Sequence, residues 1–434
     1  MVRIGRLVPR FGRDVWLLES ATALLAGAHL GMMQLLKVLY ILRLGYGPDF
    51  IGTVFATGAV SFMLASIPSG ALGSRFGPTR VIVAGAVVNV VGMALLPFTE
   101  AVPLGLRTFW PLLVQIVSSS GWAMVQVNVV PALATFTTND TRRGALAMRE
   151  ALAGAGMFLC TLVGGLLPGL FAGLTGTTTE DPTPYRLGLW VVVAVGLVGV
   201  LPLLWVRRVE AFRPSPTERR ALPPLLPLLV LVASGFLNNG ATASCKAFAS
   251  AYLDREFGLP ASLIGTVSSV GMLLAVVAAL SGPRLARRHG GTFAMVVASA
   301  LLSVGLAQMG LVGHWLAVAV GYAMMLAVTA LFVPAYQSQQ MEMVAPQWRS
   351  LISAAGSVGM SLGFGTVSFG GGFIVTGLGY RPLFLIGAAM ALGSAVLVVV
   401  LGRRGAGIVA PAAPQLESAP TAGRGVDAHA PADG

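Results

Sequence analysis

Lysine occurs only twice in this 434-residue chain, and both copies, Lys37 and Lys246, fall inside long apolar runs. A buried ammonium costs about 2.5–3.5 kcal/mol on insertion scales and commonly marks a solute or ion pathway. Helical spacing sets Lys37 one turn beyond Met33 and two beyond His29, with Gln34 next to Met33. The same spacing gathers Lys246 with Asn239, Thr242 and Ser250, with Asn238 alongside. Gln115, Ser119, Trp122 and Gln126 form a third stripe, and Tyr322, Thr329 and Tyr336 a fourth. The chemistry open to these stripes is binding. The ammonium groups would attract an anionic group, or titrate as a solute passes, while amides and hydroxyls orient it. Two other readings stand beside that one: a lysine can snorkel to the interface, and any single Gln or Asn can be an interhelical hydrogen bond.

Glu19 and Glu150 are candidates for proton coupling, together with His29, whose imidazole titrates near neutrality. With Glu342 these acids lie toward one side of the membrane, and structural ion pairs are the competing reading for each. A hydrogen-bonded core imidazole is the competing reading for His29. Glu150 directly follows Arg149, so the two are expected to point apart and to find other partners. Cys160 and Cys245 sit in apolar segments, so neither a disulfide framework nor a thiolate metal site is expected. There is no Walker loop, His-Glu-x-x-His or nucleophile elbow to carry ATP-driven transport or hydrolysis. No cofactor or metal is expected.

Such side chains need membrane helices to hold them. The chain is 56% hydrophobic and 10% charged, with mean hydropathy +0.82, against about 25% charged residues in a soluble domain. Apolar runs bounded by Gly, Pro and charge predict helices near Val15–Arg43, Phe50–Gly73, Thr79–Thr99, Thr108–Phe136, Arg143–Gly173 and Leu187–Val206. A second set falls near Leu222–Leu253, Pro260–Gly282, Thr292–Val312, His314–Met341, Arg349–Gly377 and Arg381–Gly402. The fold class is therefore an all-α polytopic membrane protein with twelve transmembrane helices. It divides into a basic amino-terminal segment (1–14), a first half (15–206), a linker (207–221), a second half (222–402) and a disordered tail (403–434). The first run is too long for a cleaved signal, so it is read as a retained helix.

The basic residues mark topology rather than a nucleic-acid face, despite a net charge of +12. One side receives Arg3 to Arg13 and most other arginines, whereas Arg43, Arg107, Arg186, Arg255 and Arg381 fall on the other. The positive-inside rule then puts both termini in the cytoplasm.

The two sets of helices are related. Gly45 matches Gly258, the run from Ile51 to Val54 matches Ile264 to Val267, and Arg75 and Gly77 match Arg288 and Gly290, each pair 213 positions apart. Val130, Pro131 and Ala132 match Val333, Pro334 and Ala335 at 203, and Arg143, Gly164 and Gly165 match Arg349, Gly370 and Gly371 at 206. Two pseudo-symmetric six-helix bundles are a transporter architecture with a midplane site. The halves differ where function is expected, since Lys37 pairs with Ser250 and Lys246 with Met33.

Between the second and third helices stands the run Gly70, Ala71, Leu72, Gly73, Ser74, Arg75, Phe76, Gly77, Pro78, Thr79, Arg80. It resembles the Gly-x-Leu-x-Asp-Arg-x-Gly-Arg signature of the major facilitator superfamily. Leu285, Ala286, Arg287, Arg288, His289 and Gly290 make a second copy, and the resemblance covers about Asp14 to Arg404. It implies a cytoplasmic gate built on Gly70, Leu72, Ser74, Arg75, Gly77, Arg80, Arg287, Arg288 and Gly290; a short basic loop that fixes topology is the alternative. Ser74 replaces the family's usual aspartate, which leaves any gate ion pair there without its carboxylate. The resemblance also implies that helices 1, 4, 7 and 10 line a central cavity. Val117 stands where drug and proton antiporters carry arginine, and Cys160 and Thr161 replace their glycine and proline within Gly156 to Gly165.

The expected function is secondary active transport of a small organic solute, anionic or amphipathic, by alternating access, with export favoured over uptake. A symporter or facilitator is the alternative. A membrane enzyme lacks a catalytic constellation, and a non-transporting receptor or scaffold on a carrier fold is the other rival. The expected partners are the lipid bilayer, a small-molecule substrate and protons, with no nucleic acid, and the chain is expected to be a monomer in a bacterial inner (plasma) membrane.

Overall fold

Several helices of this chain end where the backbone takes a left-handed turn. Gly45 (φ 88°), Gly77 (88°), Gly258 (62°) and Gly290 (92°) all do so, a conformation that a side chain disfavours. Both pairs are among those matched between halves at the 213 spacing. Gly176 (φ 66°) and Gly379 (84°) form a further pair. The internal repeat thus includes a repeat of turn chemistry.

The computed structural model describes residues 11–208, 225–342 and 349–405. Among them there is no strand, and twelve helices are long and apolar enough to cross a membrane. They are α1 (Arg13–Arg43), α2 (Pro48–Phe76), α3 (Pro78–Leu95), α4 (Trp110–Phe136), α5 (Asn139–Thr175) and α6 (Thr183–Val200). The second bundle comprises α7 (Leu225–Arg255), α8 (Ala261–His289), α9 (Gly291–Leu311), α10 (Trp315–Glu342), α11 (Arg349–Leu378) and α12 (Tyr380–Gly405). The basic residues before 11, most of the linker and the tail beyond 405 lie outside the described residues. Large apolar side chains such as Ile67 (74% exposed) and Leu174 (72%) face outward, as a lipid-facing surface requires.

Two expectations about the gate motif are corrected. Gly70 to Phe76 is not a loop but the last turns of α2, and Gly77 alone reverses the chain before Pro78 opens α3. Nothing ahead of Gly77 breaks the helix, and proline is favoured at the first helical position. The second copy behaves alike, with α8 running to His289 and Gly290 making the turn.

Helix α1 is not regular. Its middle, Gly27–Met32, is a π-helical turn, a feature that often accompanies function. Gly27 and Gly31 let this turn press on α5: a Cβ would stand 2.7 Å from Gly156 O at the first and 2.9 Å from Met157 O at the second. Small residues are what bring membrane helices this close.

The bundles meet through α2 with α11 and α5 with α8. Gly52 packs on the Ser368 backbone, and Gly372 on that of Asp49. At the α5–α8 crossing a Cβ on Gly165 would lie 2.8 Å from Gly265 Cα and 2.9 Å from Ala261 O. Gly165→Val is therefore expected to destabilise the protein by about 1–3 kcal/mol through overpacking, lowering its thermal unfolding temperature in detergent. Gly169→Val, with nothing within 4 Å of the added Cβ, should leave that temperature nearly unchanged.

Candidate functional site

Lys37 sits on the carboxy-terminal part of α1, beyond the π turn, and is 3% exposed. Its Nζ donates to Gln115 Oε1 of α4 at 3.0 Å and lies 4.4 Å from the centre of the Phe55 ring of α2. The Gln115 amide in turn donates to Ser119 Oγ at 2.9 Å. Gly58 of α2 makes room for it, since a Cβ there would collide with Gln115 Nε2. An ammonium has three donors. Here one is used, by a neutral acceptor, and no described carboxylate forms an ion pair with it. Lys246, half-buried on α7, has no hydrogen bond or ion pair with a described residue. Its charge acts on both Lys37 and His29. Two cations thus lie within electrostatic reach of one another, and no described carboxylate pairs with either.

The floor of this site is aromatic. His29 stacks on Trp122, ring centres 5.2 Å apart and planes 27° apart. Asn89 of α3 holds the imidazole, its Nδ2 lying 3.1 Å from His29 Nδ1 while also donating to Ser118 O at 2.8 Å. An amide NH2 can only donate, so this network assigns Nδ1 as the acceptor and the proton to Nε2. Sequence reasoning missed Asn89. The available signal was a lone amide in the apolar run that became α3. Phe55 carried no such signal.

The remaining stripe residues divide by role. Met33 is buried, and Gln34, on the same helix as Lys37, keeps an unpartnered Oε1. In the second bundle Asn238 donates to Ser299 Oγ at 2.9 Å and Asn239 to Met360 O at 2.7 Å. Thr242 donates to Asn238 O, Thr329 to Met325 O, and Tyr336 to Leu231 O at 2.9 Å. The Asn238, Asn239 and Tyr336 bonds tie neighbouring helices together, the two threonine bonds stay within their own helices, and Tyr322 is buried at 9% exposure. Lys246 is the charged member of the α7 stripe and has no ion pair among the described residues.

At the end where α1 begins, Arg149 Nη2 donates to Gln126 Oε1 at 2.8 Å. Against expectation, Arg149 also reaches its neighbour Glu150, Nη1 to Oε1 3.5 Å. The long guanidinium arm bridges an angle that would separate shorter side chains. Ser74 Oγ donates to Ala71 O of its own helix, and Arg75 lies over Phe76, 5.2 Å from the ring centre. Arg75, Arg80 and Arg288 are exposed. The side chains of Arg287 and Glu342 lie outside the described residues.

The opposite end is fastened. Arg43 donates through both Nη atoms to Asp254 at the end of α7, at 2.7 and 2.8 Å, and through Nε to Thr179 O at 2.9 Å. Glu180 stands 3.6 Å from the same guanidinium, and Arg255 donates to Tyr46 O at 3.1 Å. A cavity of about 600 Å³ lies among Arg43, Tyr185, Asp254 and Pro260. Sequence reasoning had counted Arg43 only as a topology marker.

The sequence model of the Major Facilitator Superfamily matches residues 20–307 and 231–426. The chain belongs to the major facilitator superfamily. Solved structures agree on this superfamily fold. The nucleoside transporter NupG is similar at 13% identity, over 89% of this chain and 99% of that one, with TM-score 0.70. A POT family transporter in complex with 5-aminolevulinic acid is similar at 13% identity, over 92% and 99%, with TM-score 0.70. The human organic anion transporter MFSD10 (TETRAN) is similar at 14% identity, over 90% and 100%, with TM-score 0.64. A search of curated protein sequences finds no significant match. The chain is thus a multi-pass membrane protein of a transporter superfamily.

Proposed function

We propose that this superfamily member is a secondary carrier of a small organic anion, moving it by rocking its two bundles about the Lys37 site. Structural relatives that handle nucleosides, peptides and organic anions share the fold, so the fold alone does not choose a substrate. The choice rests on one observation: Lys37 is bonded to the neutral Gln115, with Lys246 within electrostatic reach and no described carboxylate paired with either. The stacked His29 and Trp122 add a flat apolar surface for an aromatic or amphipathic body. The arginine asymmetry supports an inner-membrane orientation with both termini cytoplasmic. In that orientation the fastened Arg43 end faces outward, the site loads from the cytoplasm, and export is the proposed direction. The working unit is a monomer.

Initial uptake into proteoliposomes tests this reading, using radiolabelled benzoate, succinate and glycerol phosphate, with choline and glycerol as cationic and neutral comparisons. Saturable flux of one of the anions is expected. Preference for choline or glycerol would remove the anion assignment, and absence of saturable flux for every solute would remove the carrier.

A further inference from the structure

We infer that Glu19 binds the coupling proton and that Arg149 becomes its counter-ion when the proton leaves, an inference that rests on the carrier reading. Glu19 lies near the start of α1 and is fully buried, at 0% exposure. Neither carboxyl oxygen has a hydrogen-bond partner. The neighbouring Thr22 hydroxyl donates to the Glu19 backbone oxygen, at 3.1 Å. The structural ion pair that competed with proton coupling in the sequence is absent: no described cation forms a salt bridge with Glu19. An ionised carboxylate in a dry interior with no partner is far costlier than the neutral acid. This conformation is therefore one in which Glu19 carries its proton.

The surrounding groups provide for the other state. Among the described residues, the charged groups that act on Glu19 come from α5 and are Arg149 and Glu150. From α4 comes Gln126, which holds Arg149. On α1 itself Asp14 is engaged elsewhere, accepting from the Arg207 amide at 3.0 Å. The current partners of Arg149 are easily given up. Gln126 is neutral, and Glu150 is 70% exposed, so that pair is screened by water. Helices α1 and α5 are in direct contact here, Gly156 packing on the Ala23 backbone. Loss of the proton breaks the Glu19 O–H bond, sends H⁺ to water, and leaves a carboxylate that the Arg149 guanidinium can neutralise after leaving Gln126. That exchange of partners replaces an α4–α5 tie with an α1–α5 tie, on the helix that carries Lys37. A proton is thereby read as a change in the position of the anion site's own helix.

The test uses the full chain in proteoliposomes with a trapped pH-sensitive dye and whichever of benzoate, succinate and glycerol phosphate moves fastest. Wild type should move protons against the anion and accumulate the anion under a pH gradient. Glu19→Gln should keep anion exchange at equal pH but lose both gradient-driven accumulation and solute-linked proton movement. Arg149→Gln, which keeps the acid but removes its counter-ion, should show the same split and covers the case in which Glu19→Gln does not fold. Saturable anion flux in wild type without linked proton movement would overturn the inference and leave the carrier reading standing. Gradient-driven accumulation that survives either substitution would also overturn it. No saturable flux of any anion would overturn both.

Discussion

Lys37→Gln is expected to cut anion affinity while leaving the protein as stable as wild type or more so. A hydrogen bond to a charged group is worth about 1.5–3 kcal/mol, which corresponds to a loss of about tenfold to a hundredfold in apparent affinity for the transported anion. The stability side has the opposite sign. Lys37 is 3% exposed with a single neutral acceptor, so replacing it removes a desolvated charge that no described carboxylate compensates. Gln115, its acceptor, remains bonded to Ser119 through its amide nitrogen. A concentration series of anion exchange, together with a thermal unfolding curve in detergent, reads both quantities. A residue that merely supports the fold would lose stability and flux together. The opposed signs are the mark of a group kept for its ligand.

Arg43→Gln is expected to release the closed end. The guanidinium makes two charge-assisted bonds to Asp254 and one to Thr179 O, with the side chains 13% and 5% exposed. Removing one member of so buried a pair strands the other, at a cost of about 3 kcal/mol or more, and the cost falls on the conformation that contains the pair. A bias of that size moves a two-state population by more than about a hundredfold. The state open at the Arg43 end would then dominate. Labelling of a single cysteine introduced at Ala261, in a background with Cys160 and Cys245 replaced, should become rapid in Arg43→Gln and in Asp254→Asn. The exchanged pair Arg43→Asp with Asp254→Arg should slow it again. Unchanged labelling in both single variants would mean that the pair does not hold this end shut.

Local chemistry was legible in the sequence wherever one segment decides it. Turn glycines such as Gly77 and Gly290 could be paired by spacing alone because a left-handed residue is a local demand. A buried lysine advertises itself through composition. Partnership across the bundle was not legible. Lys37 and Gln115 are 78 positions apart and Arg43 and Asp254 are 211 apart, and helical periodicity fixes a face without fixing what stands opposite it. Asn89 escaped notice for the same reason. Asn239 and Tyr336 have the polarity of cavity residues, yet their bonds to Met360 O and Leu231 O are spent on neighbouring helices. The isolation of Glu19 is a fact about its neighbours, and no spacing along α1 could express it.

Counterflow tests the central claim most directly. Proteoliposomes are loaded with a high concentration of the unlabelled anion that moves fastest in the uptake assay, then diluted into a trace of the same anion carrying label. A carrier that alternates one site between two faces predicts a transient accumulation of label above its equilibrium level, weakened in Lys37→Gln. Label that only rises to equilibrium, without the transient, would contradict a single site presented alternately to the two sides.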